Sequence, residues 1–395
     1  MVSFTLTALT AFSLYTLSGA TTHSPTPVSG PSAATFSVPT ASTANPTASG
    51  ITVDHGKAYI KYTTVTGFFL QDLNTTNQTG FDYATVNFGL LNRTYPDETP
   101  SDCRLPQWGR FDKYLTRLNR YADRNTHYKL LFIGRHGEGY HNAAETFYGT
   151  PAWNCYWSEQ PGNSTNSWSD ARLTPNGIAQ ASKANAYWAR LQTEQRITTP
   201  QSFYVSPLTR CLQTANTTFA SLSLPKKYPF HPTVKEFLRE SISIHTCDRR
   251  SSRSYIQSLF PSWSIDPTLT QSDELWSGIT AETNSAQDYR STIVLDDIFS
   301  SDRNRVISLT THSGETGSLL RVLGHRAFSL GTGQIIPVLV KAETVKSAPA
   351  LTTTAPWTAG AWCTAGPPVT SGAAGCTCAG GVSPTEGTAS STPTA

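Results

Sequence analysis

Leu131-Phe132-Ile133-Gly134-Arg135-His136-Gly137-Glu138-Gly139-Tyr140-His141-Asn142 is the stretch on which the reading of this chain turns. The residues leading into it, Tyr128-Lys129-Leu130-Leu131-Phe132-Ile133, form a short apolar run, as a strand buried on both faces of a parallel sheet should. Arg-His-Gly follows at the carboxyl end of that strand, where open α/β sheets place their ligands. Similar runs recur at Phe203-Tyr204-Val205, Val306-Ile307-Ser308-Leu309 and Gln334-Ile335-Ile336-Pro337-Val338-Leu339-Val340. Pro337 favours an edge position for the last of these, because proline gives no N–H to a neighbouring strand. Thr174-Pro175-Asn176-Gly177 reads as an N-cap followed by proline at the first helical position, opening a helix to about Gln195. Other helical stretches lie near 108–122, 207–222, 281–300 and 315–323. Strands alternating with helices predict an α/β fold, a three-layer sandwich with a mostly parallel central sheet flanked by helices.

Four more segments carry the reading further. They are Asp170-Ala171-Arg172-Leu173-Thr174-Pro175-Asn176-Gly177, Val205-Ser206-Pro207-Leu208-Thr209-Arg210, Leu238-Arg239-Glu240 and Thr311-His312-Ser313-Gly314. With Arg135-His136-Gly137-Glu138 and Asn142 they resemble, in order, the motifs of the histidine phosphatase superfamily in its phosphoglycerate-mutase-like branch. The chemistry explains why such residues are needed. A phosphate monoester carries up to two negative charges, and a guanidinium grips its oxygens with a planar fork. The resemblance implies that Arg135 and Arg210 bind the phosphate, Asn142 adds a neutral donor, and His136 attacks phosphorus as an unprotonated nucleophile. His312 would donate to the phosphoryl oxygens as charge spreads in the transition state. Glu240 would protonate the leaving alkoxide and then take a proton from water. Glu236 and Asp248 lie close enough in sequence to compete for that role, but only Glu240 fits the Leu-x-Glu pattern. No metal or other cofactor is expected.

The chain also departs from the family. Gly139 stands where many mutases have serine after Arg-His-Gly-Glu, which puts mutase activity in question. The phytase-containing branch has Arg-His-Gly-x-Arg and a late His-Asp, whereas here Gly139 and Ser313 occupy those places, so a phytase is disfavoured. Arg249, Arg250 and Arg253 either line a substrate entrance or form a solvated, salt-bridged helix start. His141, one step from Asn142, either faces the site or, the favoured reading, packs or meets solvent. The expected activity is a secreted phosphomonoesterase with a small phosphorylated substrate. The alternatives are a phosphoglycerate-type mutase and a non-catalytic secreted binding protein on the same fold.

Outside the body, residues 1–20 read as a signal peptide, apolar to Leu17 with Ser18-Gly19-Ala20 as a cleavage site. Residues 21–54 and 345–395 are rich in Ser, Thr, Pro, Ala and Gly, and are expected to be disordered arms around a catalytic domain over 55–344. Deleting the second arm is expected to leave activity nearly unchanged. Sequons at Asn74, Asn77, Asn92, Asn163 and Asn216 fit an exported glycoprotein, secreted or cell-wall associated. A net charge of +3 excludes nucleic acid as an expected partner, and no apolar run is long enough to span a membrane. The seven cysteines lack zinc-site spacing, and Cys103 with Cys155 is the preferred disulfide.

Overall fold

Seven strands build the central sheet of the computed structural model. They are β1 (Tyr59–Thr64), β2 (Thr126–Arg135), β3 (Ser202–Val205), β4 (Thr233–Val234), β5 (Ser264–Ile265), β6 (Val306–Thr311) and β7 (Ile335–Val345). Their spatial order is β1-β7-β2-β6-β3-β4-β5, and β7 alone runs against the rest. The structure describes residues 51–52, 59–346, 352–353, 357–364, 378 and 385–386. The signal peptide lies outside these residues, as does the first arm apart from Ile51 and Thr52.

Alternation along β2 explains the layers. Leu130 and Phe132 face one side, in an aromatic core with Phe88, Trp108 and Trp188. Leu131 and Ile133 face the other, packed with Leu295, Leu309 and Leu319. Helices α1 (Gln107–Tyr121) and α4 (Pro175–Glu194) cover the first face. Helices α7 (Asn284–Ser301) and α8 (Ser313–Val322) cover the second. The remaining helices are α2 (Tyr140–Tyr148), α3 (Thr150–Cys155), α5 (Thr209–Phe219) and α6 (Arg253–Leu259). The start of α4 is as read from sequence: Thr174 Oγ1 accepts from Gly177 N at 3.1 Å, and Pro175 takes the first helical position.

Three expectations change. Pro337 is not on an edge strand, since β7 lies between β1 and β2. The pairing with β1 starts only at Val340, however, so Pro337 has no strand on its outer side, and its carbonyl accepts from Gln71 Nε2 at 2.9 Å. Cys103 is free and exposed, whereas Cys155 is disulfide-bonded, so these two do not pair. A second disulfide joins Cys363 to Cys378. The segment after 345 is also not wholly a free arm. Trp357–Ala359 pairs antiparallel with Thr280–Glu282, and Gly360 N donates to Ile279 O at 2.9 Å. Cys363 N donates to Cys155 O at 2.8 Å. Low charge had suggested disorder, but a tryptophan and two bridged cysteines supply anchors that composition averages away.

Candidate active site

The site residues follow the carboxyl ends of neighbouring parallel strands. Arg135 pairs with Thr311 in the β2–β6 register, so His136 and His312 leave the sheet side by side. Their ring centroids are 5.0 Å apart. Val205 at the end of β3 leads through Ser206 and Pro207 to Arg210 in the first turn of α5. Val234 at the end of β4 leads through a short 3-10 turn, Glu236–Leu238, to Glu240. Sheet topology thus gathers side chains that are far apart in sequence.

His136 is 1% exposed, and its Nδ1 lies 2.7 Å from Gly137 O. A carbonyl can only accept, so Nδ1 carries the proton and Nε2 keeps its lone pair. Burial, then Arg210 and Arg135, hold the ring's pKa well below the usual histidine range, which keeps it neutral. The loop is pinned by Gly137 N donating to Thr214 Oγ1 at 3.0 Å and His136 N donating to Thr311 O at 2.9 Å. Glu138 ties it to α4, accepting from Thr174 Oγ1 at 2.6 Å and Asn176 Nδ2 at 3.1 Å. Gly137 and Gly177 meet backbone to backbone: a Cβ on Gly137 would stand 2.3 Å from Gly177 O, and one on Gly177 would stand 2.1 Å from Glu138 O.

Both candidate phosphate-binding arginines are anchored at one nitrogen and open at another. Arg210 Nη1 donates to Cys247 O at 2.7 Å and Arg135 Nη1 donates to Leu330 O at 2.8 Å. The Nε of each is buried without a hydrogen-bond partner. Buried guanidinium donors are costly to leave unpaired, so a site with two of them beside a nucleophile is built to receive an anion. Asn142 is placed differently. Its Oδ1 accepts from Gly139 N at 3.0 Å, capping α2, which leaves only its amide nitrogen as a donor.

His312 Nε2 lies 2.7 Å from Ser206 Oγ and 3.3 Å from the free thiol of Cys211. When Ser206 donates to Nε2, the proton sits on Nδ1, the nitrogen then left for a substrate oxygen. Glu240 Oε1 accepts from Ser241 N at 2.9 Å and from Glu315 N at 3.1 Å, so its carboxyl sits at the start of α8. Burial and then Asp248 raise its pKa, partly offset by the Ser241 N–H and the two arginines. The competing carboxylates are otherwise engaged. Glu236 is buried between Arg239, at 2.8 Å, and Arg250, at 2.7 Å. Asp248 accepts from Ser243 Oγ at 2.5 Å.

Of the three arginines after Glu240, Arg250 is consumed by Glu236, and Arg253 Nη1 donates to Leu269 O at 2.8 Å inside its own segment. Only Arg249 remains outside such bonds, lying over the Trp276 ring at 5.5 Å. The salt-bridged reading therefore holds for Arg250, and the entrance is less basic than three arginines suggest. Sequence reasoning missed Ser206, for which the one signal was its place directly after a strand end. His141 is buried rather than solvent-facing, with its ring centroid 5.3 Å from that of His136. His245, Cys247 and Asp248 bring an imidazole nitrogen, a thiol and a carboxylate within 4.8 Å of one another, a set able to hold a metal ion.

Comparison with known proteins gives the family. A family model described as histidine phosphatase superfamily (branch 1) matches residues 155–332. The chain is 48% identical over 292 residues to a probable phosphoglycerate mutase of Arthroderma benhamiae, covering 73% of this chain and 87% of that protein. It is 40% identical over 216 residues to phosphomutase-like protein 3 of Candida albicans, covering 54% of this chain and 66% of that one. A probable phosphoglycerate mutase of Saccharomyces cerevisiae, PMU1, is 34% identical over 236 residues, 55% of this chain and 80% of its own length.

Proposed function

Since the chain belongs to the histidine phosphatase superfamily, we propose that it is an exported phosphomonoesterase working through a phosphohistidine at His136. The observation that carries this reading is the pair of unpartnered, buried Nε donors on Arg135 and Arg210 beside a neutral His136 whose Nδ1 is already taken. The phosphate binds those donors, and His136 Nε2 attacks phosphorus in line. The P–O bond to the alcohol breaks, and Glu240 delivers its proton to the departing oxygen. Water then attacks the phosphohistidine while Glu240 accepts its proton. The P–N bond breaks, and His136 regains its lone pair. His312 and the arginines stabilise the charge on the equatorial oxygens in both steps.

Export rests on the leader-like N-terminus and on the cysteine bridges, which suit an oxidising compartment. The names of the relatives support a second reading, a phosphoglycerate-type mutase. That reaction must retain a doubly phosphorylated intermediate, and the ion pair of Arg250 with Glu236 takes up one cation that would help to hold it. The experiment is a panel of phosphate esters with purified wild type and His136→Ala, alongside 3-phosphoglycerate primed with its bisphosphate. Phosphate release and an acid-labile phosphoenzyme are expected in wild type, with both absent in His136→Ala. Isomerisation of phosphoglycerate without net phosphate release would give the mutase reading instead.

A further inference from the structure

Gly139 is not glycine because of its backbone angles. It caps α2 with φ −98° and ψ 164°, an extended conformation open to any residue. What is missing is room: a Cβ there would lie 2.6 Å from His141 Nδ1 and 2.7 Å from His141 Cε1. The imidazole of His141 therefore occupies the volume that a side chain at position 139 would claim.

In that place the ring is 8% exposed, and its Nδ1 is buried without a hydrogen-bond partner. Burial first, then Arg210, His136, Arg135 and His245, push its pKa well below the usual histidine range, which keeps it neutral. A neutral imidazole still has one N–H to give. A buried polar group left without a partner calls for an explanation, and a bound anion would supply one here. No described carboxylate bonds to this ring, yet two guanidinium groups and the nucleophile surround it. A group rich in acceptor oxygens, placed on His136, would satisfy the ring and neutralise the field around it.

We infer that His141 is a further ligand of the transferring phosphoryl group, donating an N–H to one of its oxygens beside Arg135 and Arg210, and that Gly139 exists to make room for it. This rests on the phosphohistidine reading above and adds a residue to its binding site.

The probe is orthovanadate, with its affinity measured by titration calorimetry. His141→Phe keeps a buried ring but has no N–H, and it should weaken vanadate binding about tenfold or more, the size of a hydrogen bond to a charged acceptor. The melting temperature of the free protein should barely move. Gly139→Ala should weaken vanadate to a similar degree, because its methyl group displaces the imidazole. In a His141→Ala background the same methyl group finds space and should change little further. Unchanged vanadate affinity in His141→Phe, or equal effects of Gly139→Ala with and without His141, overturns the inference. If His141→Phe does not fold, the Gly139/His141 cycle decides alone. These titrations read anion binding, not turnover, so a failure of the phosphohistidine reading appears separately, as wild type that takes no acid-labile label.

Discussion

The contact between Gly137 and Gly177 turns a single methyl group into a test of how the nucleophile is held. Neither glycine lies in the left-handed region, so a substitution to alanine strains no backbone angle. The cost is spatial. A Cβ on residue 137 would sit 2.3 Å from Gly177 O, an oxygen fixed in the first turn of α4. Ordinary contact needs the gap to open by about 1 Å. Overpacking of this kind costs about 1–3 kcal/mol of stability. The loop cannot move alone, because Gly137 N is bonded to Thr214 and His136 N to Thr311. His136 shifts with it, and a displacement of about 1 Å at a reacting group costs on the order of 100-fold in rate. Gly137→Ala should therefore lower kcat/KM on a nitrophenyl phosphate by about two orders of magnitude with only a modest fall in melting temperature. Gly177→Ala, pressing on Glu138 O from the other side, should behave similarly. The assay is steady-state hydrolysis beside thermal melting of both variants. Wild-type kcat/KM in Gly137→Ala would refute the argument that this contact positions His136.

Three further outcomes follow from the site and its surroundings. Glu240→Gln should slow phosphorylation by an alkyl phosphate far more than by nitrophenyl phosphate in burst kinetics, since a nitrophenolate leaves without a proton; an equal fall for both removes Glu240 from the acid role. The same residue sets a pH dependence. Glu240 must be protonated to donate, and its pKa is raised, so kcat/KM on the alkyl ester should fall as pH rises through that value. His136, with its pKa depressed, stays nucleophilic well below the usual histidine range of about 6.5, so activity should favour acid and the alkaline limb should vanish in Glu240→Gln. Ending the chain after residue 346 removes the strand Trp357–Ala359 from Thr280–Glu282, and Glu282 holds Ile242 through Ile242 N to Glu282 Oε2 at 3.0 Å. Loss of about 2–5 kcal/mol is expected, because the Cys155 disulfide goes with those few hydrogen bonds, with a larger activity loss on poor leaving groups than on good ones; unaltered melting and activity would show that the strand does not support the Glu240 segment.

What could be read from the residues in advance was whatever local chemistry determines. The apolar run into Arg135 marks a strand because β2 is covered on both faces, and Thr174-Pro175 marks a helix start because a hydroxyl cap and a missing N–H suit one. Most candidate site residues could be nominated because they stand at strand ends or in the first turn of the helix that follows, where the chain leaves the sheet. What escaped depends on who lies across the fold. Pro337 gave the correct rule and the wrong place, because proline needs only an absent neighbour, and β1 stops short of it. Sequence left Arg250 open between a substrate entrance and a salt bridge, and its ion pair with Glu236 settles that while setting Glu236 apart from the other acidic candidates. Glu236 has its oxygens taken up by Arg239 and Arg250, whereas Glu240 is bonded mainly by backbone N–H groups and lies close to the like charge of Asp248. Spacing along the chain can nominate three acids, but only Glu240 stands at the start of α8 with burial and Asp248 raising its pKa against the partial offset of the two arginines.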